Sequence, residues 1–287
     1  MKFNAIFWPG RYCACRPGNH KETKMTQQTW RTAISNFDQE SIVIGGYRVR
    51  DLMRNLDFGG MMFVLYQQRV PSPQEAKLLN ALMISVVDHG IVAPSAVSRI
   101  VAASGVPLQA CVAAGILTIG DVHGGAGEQV ARRIQEWVCE ARAAGIDMPE
   151  KAAQVVADSR ERKARIEGYG HPLHPVGDER VDTMVALARE LDLVGPHLNL
   201  ALAIEAEIEK RSSRRIPLNV DGAMAAVLMD LGFDWRLTRL FVFVPRAAGI
   251  SAHAVEEVVR ERGWRVVAKH DDINYDGPQV REFPSPQ

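Results

Sequence analysis

Residues 72–86 read SPQEAKLLNALMISV, and this stretch sets the fold class. Ser72 and Pro73 suit a helix start, and Glu75 follows in the first turn. Leu78, Leu79, Leu82 and Val86 then recur at helical spacing, so one face is apolar and needs a partner. The same period returns downstream. Val181, Met184, Val185, Ala188 and Leu191 form a second stripe, and Leu198, Ala201, Ile204, Ala206 and Ile208 a third. A fourth helix is expected from Gly222 to Leu231, ending at Gly232, where a left-handed cap costs glycine little. A fifth is expected from Ala248 to Arg262, ending at Gly263.

Strand signals are few. Ser41–Val49 reads as a small hairpin, two β-branched runs flanking Gly45-Gly46. Late in the chain, only Trp264 to Val267 looks strand-like. Many helices and few strands predict an all-α fold with a small N-terminal β-hairpin.

Composition bounds the function. The 287 residues are 47% hydrophobic, enough for a large core. Lysine plus arginine and aspartate plus glutamate number 34 each, which gives no global electrostatic reason to expect nucleic acid or an anionic membrane as partner. No segment reaches the roughly 20 apolar residues of a membrane span. Residues 1–24 lack an apolar run and are expected to be a disordered leader, with the natural fold beginning near Met25. Cys111 and Cys139 are expected as buried thiols, and Cys13 and Cys15 have no second pair for zinc. A reduced, cytoplasmic protein is the simple reading. The charged stretch Ser159–Glu167 is a linker or an exposed helix.

Chemistry-bearing residues sit in glycine-rich or helix-start contexts: His89 in VDHG, His123 in GDVHGGAGE, His171 in GYGHP and Asp221 in NVDG. Glycine beside a polar residue lets a backbone approach a ligand closely. HGGAG lacks the strand and downstream acid of a dinucleotide fingerprint, and no HExxH or paired-cysteine motif is present, so no catalytic metal is expected.

Taken together and in order, these segments resemble the citrate synthase superfamily. VVDHG (86–90) resembles the family's ADH segment, and GDVHGGAGE (120–128) its PLHGGAN loop. GYGHPLHPVGDER (168–180) resembles GFGHRVYKNYDPR, and NVDG (219–222) resembles NVDF. FVFVPRAAGISAH (241–253) resembles FAIGRTVGWIAH. The nearest likeness is to the citryl-CoA lyase module of ATP citrate lyase, whose GLLTIGD and terminal DDI–Y are echoed by GILTIGD and DDINY.

The resemblance implies a citrate-synthase-like fold: a large domain of residues 25–125 plus 224–287, with a small helical domain of 126–223 inserted. It implies an enzyme of coenzyme A thioester Claisen chemistry. Asp221 would be the acid/base, His123 would hold the thioester oxygen, and His171 would serve the keto or hydroxyl oxygen of the acceptor. Arg180 and Arg246 would clamp carboxylates, and His89 would assist. Arg214 and Arg215, in a basic run before NVDG, would meet the CoA phosphates; the other reading of that run is a solvated turn. The implied partners are a CoA thioester, a dicarboxylate or citrate-like ligand, and a second copy in a homodimer or higher oligomer, with CoA as substrate and no further cofactor.

Two departures stand out. Pro172 and Pro175 occupy positions the family often fills with basic residues, so the phosphate contacts differ. The lyase module lacks a histidine in its HGGA-like loop, whereas His123 is present here. Citryl-CoA cleavage is the first reading. Citrate-synthase-type condensation of an acyl-CoA with a 2-oxo acid is the second. A non-catalytic CoA-binding regulator or partner subunit is the reading of another class.

Overall fold

The structure is a computed structural model that describes residues 30–121, 123–170, 177–212, 215–261, 263–265 and 267–283. The described chain is mostly helical, as the stripes predict, and parts into two compact units. The first takes residues up to His89 together with Ile119–Ala248; the second takes Gly90–Thr118 and the residues from Gly249 onward. Residues 126–223, expected as a small inserted domain, fall in the first unit.

The first unit opens with a three-stranded antiparallel sheet, β1 (Ser35–Phe37), β2 (Ile42–Ile44) and β3 (Tyr47–Arg48), in that order. β2 and β3 are the expected hairpin, turning at Gly45 (φ 55°) and Gly46 (φ 87°). β1 is an addition to it. The helices α1 (Val49–Asn55), α2 (Phe58–Gln67) and α3 (Pro73–Ser85) follow. Ser72 and Glu75 cap α3 reciprocally: the Ser72 hydroxyl accepts from the Glu75 N–H, and the Glu75 carboxylate accepts from the Ser72 N–H.

Across the second unit's residues lie α4 (Ala93–Ala103) and α5 (Leu108–Ile116). The first unit resumes with α6 (Ala126–Ala144), α7 (Met148–Glu161), α8 (Glu179–Glu190), α9 (Pro196–Arg211) and α10 (Val220–Asp230). The stretch Ser159–Glu167 is the last turn of α7 and an exposed connection. α10 is the centre of this unit. It is apolar on every face, is buried from Gly222 to Met229, and packs against α6, α8 and α9. Asn219 caps its start, and Gly232 (φ 79°) lies just past its end. Phe63, Phe233 and Phe241 close the core, with ring centroids 4.8 and 4.7 Å apart.

The last helix, α11 (Leu240–Arg260), differs from expectation. The expected start is Ala248, and Pro245 just before it lacks the N–H that continues a helix. The helix runs through Pro245 and begins eight residues earlier, because Phe241 and Val242 are buried core residues that hold its first turn. Its residues to Ala248 belong to the first unit and the rest to the second.

Within the second unit, Ala102 of α4, Cys111 of α5 and Ala254 of α11 make a small apolar cluster. Beside it, Arg99 pairs with Glu256 and with the buried Glu257, which also accepts from Arg265. Trp264–Val267, expected as a strand, is not one among its described residues: Trp264, Arg265 and Val267 are without ladder bonds and exposed. Cys111 is buried as expected, but Cys139 is only partly so. The leader, residues 1–24, lies outside the described residues. Among the described residues, no helix is long and apolar enough to cross a membrane.

Candidate active site

Asp221 is placed by its own helix. Asn219 is the N-cap of α10, and its Oδ1 accepts from the Gly222 N–H at 3.0 Å. Asp221 therefore sits in the first turn, where the helix dipole favours a carboxylate. Gly222 is buried against the backbone of Gly168: a Cβ there would lie 2.5 Å from the Gly168 carbonyl oxygen. Only two glycines let these backbones cross so closely.

That crossing is a short piece of sheet-like pairing. The Gly170 N–H donates to the Pro217 carbonyl at 2.7 Å, and the Asn219 N–H donates to the Gly168 carbonyl at 2.9 Å. The Asn219 side-chain amide donates to the Gly170 carbonyl at 2.9 Å. Tyr169, between the glycines, donates its hydroxyl to Ala201 at 2.9 Å, and burial, then the nearby Glu205 carboxylate, holds its phenol well above the usual range. The segment that leads into His171 is thus fixed beside the segment that leads into Asp221. His171 itself lies outside the described residues.

His123 stands in the loop before α6. Its backbone exchanges two hydrogen bonds with Gly120, each 3.0 Å, which closes the loop tightly. The side chain is exposed. α6 then packs its first turn on the start of α10: a Cβ on Gly127 would lie 3.4 Å from Met224 Cε and 3.9 Å from the Asp221 carbonyl oxygen. Two glycine contacts therefore bring the His123 loop and the Gly168–Gly170 segment to the same end of α10.

Arg246 is buried, at 8% exposure, and its Nε donates to the Val86 carbonyl at 2.7 Å, three residues before His89. Burial lowers this guanidinium from its ordinary value; the Asp88 carboxylate opposes the shift, and the like charge of Arg180 adds to it. Arg180 and Arg246 are thus close enough to feel each other. Arg180 is also bonded along one edge to Asp178, at 2.9 Å from Nε and 2.6 Å from Nη2. Arg215 pairs with Glu209 at 3.3 Å, and Arg214 lies outside the described residues. Among the described residues, no cluster of three or more histidine, cysteine or acidic side chains could hold a metal. A cavity of 1010 Å³ lies along α6 and α7, lined by Trp137, Trp235 and five cationic side chains. Three of these are already paired, Arg132 and Arg133 with Glu136 and Lys151 with Glu140.

Asn219 has no task in the resemblance to the family, but a local signal marks it: an asparagine three residues before Gly222 is a helix-cap spacing. The match to known proteins agrees with this arrangement of motifs. The family described as "Citrate synthase, C-terminal domain" matches residues 67–266, more than half of the chain. The chain belongs to the citrate synthase family.

Within that family, the chain is 35% identical to a solved citryl-CoA lyase from Hydrogenobacter thermophilus, with a TM-score of 0.81, covering 90% of this chain and 98% of that one. It is 29% identical over 215 residues to Citrate synthase 2 of Bacillus subtilis, spanning 74% of this chain but only about half, 54%, of that protein. ATP citrate lyase from Methanothrix soehngenii, solved with citrate and coenzyme A, shares the fold, at 24% identity and a TM-score of 0.74, over 89% of this chain and 43% of that one.

Proposed function

We propose that this chain cleaves citryl-CoA to acetyl-CoA and oxaloacetate by a retro-Claisen reaction. The observation that carries the reading is the end-to-end likeness to a citryl-CoA lyase, 98% of whose chain is matched. The convergence of the His123 loop and the Gly168–Gly170 segment on the start of α10 supports it.

In the cleavage direction, His171 takes the proton from the citryl hydroxyl, which becomes the keto oxygen of oxaloacetate. The carbon–carbon bond breaks, and its electron pair passes into the enolate of the acetyl thioester. His123 donates a hydrogen bond to the thioester oxygen as charge develops there. Asp221 delivers a proton to the terminal carbon, which becomes the methyl group. A carboxylate suffices for this carbon acid only because the enolate is stabilised as it forms. Arg180 and Arg246 hold the carboxylates in bidentate forks, and His89, three residues after the Val86 that anchors Arg246, assists. Arg214 and Arg215 meet the CoA phosphates.

The same groups run the condensation in reverse, and the likeness to Citrate synthase 2 of Bacillus subtilis favours that as the second reading. The test is mass spectrometry of purified protein with synthetic citryl-CoA, and separately with acetyl-CoA plus a panel of 2-oxo acids. Cleavage without added 2-oxo acid is expected. Turnover only in the condensation arm favours the second reading. CoA binding without turnover in either arm refutes both and leaves a regulator.

A further inference from the structure

Thr238 and Arg239 follow a short 3-10 turn, Trp235–Leu237, and lead into α11. The Arg239 carbonyl accepts from the Val242 and Phe243 N–H groups, so this residue is fixed to the helix that carries Arg246. Its side chain points the other way, into the His123 loop. Nη2 donates to Asp121 at 2.6 Å, two residues before His123. Nε lies 3.2 Å from a Glu128 oxygen, five residues after His123; it is buried, and this contact is an ion pair without hydrogen-bond alignment. Between those two acids, the guanidinium carbon lies against Gly125, where a Cβ would come within 3.1 Å. The loop thus wraps one cation from three sides.

We infer that Arg239 is the positioning residue that holds the His123 loop closed. Asp121 and Glu128 bracket His123, and without a cation between them they are like charges facing each other across the loop. The pair of backbone hydrogen bonds between Gly120 and His123 then works against that repulsion. On this reading Arg239 acts through His123, by fixing where it points. The consequence for catalysis rests on the role of His123 proposed above.

The test uses the full chain with Arg239→Gln and Arg239→Lys. Hydrogen–deuterium exchange by mass spectrometry reads the loop itself, independently of activity. In R239Q, exchange at residues 120–125 should rise by at least about three-fold while α10 stays as in wild type. With synthetic citryl-CoA, kcat should fall roughly 10- to 100-fold, the range for a misplaced group, with KM within about three-fold. R239K keeps the charge but not the fork and should be intermediate in both readouts. Unchanged loop exchange in R239Q overturns the inference. So does exchange that rises equally through α6 and α10, because Arg239 is then a general stabiliser. Raised loop exchange with wild-type kcat overturns it too. Wild-type protein that turns over neither substrate set refutes the proposed function instead, and the exchange result still decides whether Arg239 holds the loop.

Discussion

Asn219 donates its side-chain amide to the Gly170 carbonyl at 2.9 Å while its Oδ1 caps Gly222. One side chain therefore ties the residue before His171 to the helix start that bears Asp221. The two tasks are separable. Asn219→Asp keeps an oxygen for the cap and loses the donor to Gly170; Asn219→Ala loses both. Loss of the cap costs about 1 kcal/mol. We expect N219A to show that loss in urea melts and N219D to avoid most of it, with turnover reduced in both. Full activity in N219D would show that the tie to Gly170 does not matter.

Gly222 tests the same crossing by crowding it. An alanine Cβ would lie 2.5 Å from the Gly168 carbonyl oxygen and 2.7 Å from Leu218 Cδ1. The leucine can turn aside, but the carbonyl also accepts from the Asn219 N–H and cannot retreat without losing that bond. Gly222→Ala should cost about 1–3 kcal/mol, as overpacking does, and lower turnover more than its stability loss accounts for. Urea melts beside steady-state kinetics check it; a variant equal to wild type in both would show that the two segments part easily.

Asp221→Asn should abolish the proton step and leave the fold in place, because the amide is nearly isosteric and remains in the first turn of α10. Turnover should fall by at least ~10²-fold, the low end for removing a positioned general acid or base. Exchange of acetyl-CoA methyl hydrogens into deuterated water isolates the step. Exchange at the wild-type rate in the variant rules Asp221 out as the base.

The fold was legible where one face is buried. The stripes of α3, α8 and α9 repeat at helical spacing because Leu78, Val181 and Leu198 each face the core. β1 was missed because Ser35–Phe37 is exposed throughout and carries no alternation to read. The early start of α11 was missed because Pro245 is a local stop signal, overridden by the burial of Phe241 and Val242. In the site, the glycine contexts were visible but not their partners. Gly168 meets Gly222 across more than fifty residues, and no local period encodes that meeting. Arg180 also pairs with Asp178, two residues away, a local contact beside its proposed clamp role.

Glu257 and Glu75 give the chain an acid-sensitive component. Hydrogen bonds from Arg265, helped by Arg99, hold the buried Glu257 below the usual glutamate range, and Arg69 does the same for Glu75. A carboxylate with a lowered folded-state pKa adds stability above its unfolded value. That stability is lost as pH falls through the folded value. Wild type should therefore lose stability as pH drops below the ordinary glutamate range. Glu257→Gln should be less stable at neutral pH and flatter in its acid dependence. Parallel pH–stability curves for wild type and variant would show that the pair contributes nothing.

On the proposed reading, Arg180 and Arg246 decide what is bound. A guanidinium offers five donors in a planar fork, so Asp178 can occupy the Nε–Nη2 edge of Arg180 while a ligand carboxylate takes the Nη1–Nη2 edge. Arg246 is anchored through Nε to the Val86 carbonyl. If both grip a dicarboxylate, replacing either with leucine leaves a carboxylate desolvated and unpaired. Such losses cost ~2–5 kcal/mol, or ~30- to several-thousand-fold in affinity. Oxaloacetate binding should fall by that much, and CoA binding should change little. The two variants should differ in stability. Arg180→Leu removes a charged partner of the buried Asp178 and should lower the melting temperature further than Arg246→Leu does. Lysine should rescue either only in part, because a point charge cannot reproduce the fork. Calorimetric binding of oxaloacetate and of CoA to each variant, beside its thermal midpoint, separates clamp from scaffold. Equal losses for both ligands, tracking the loss of stability, would make the arginines structural and remove the dicarboxylate from the reading.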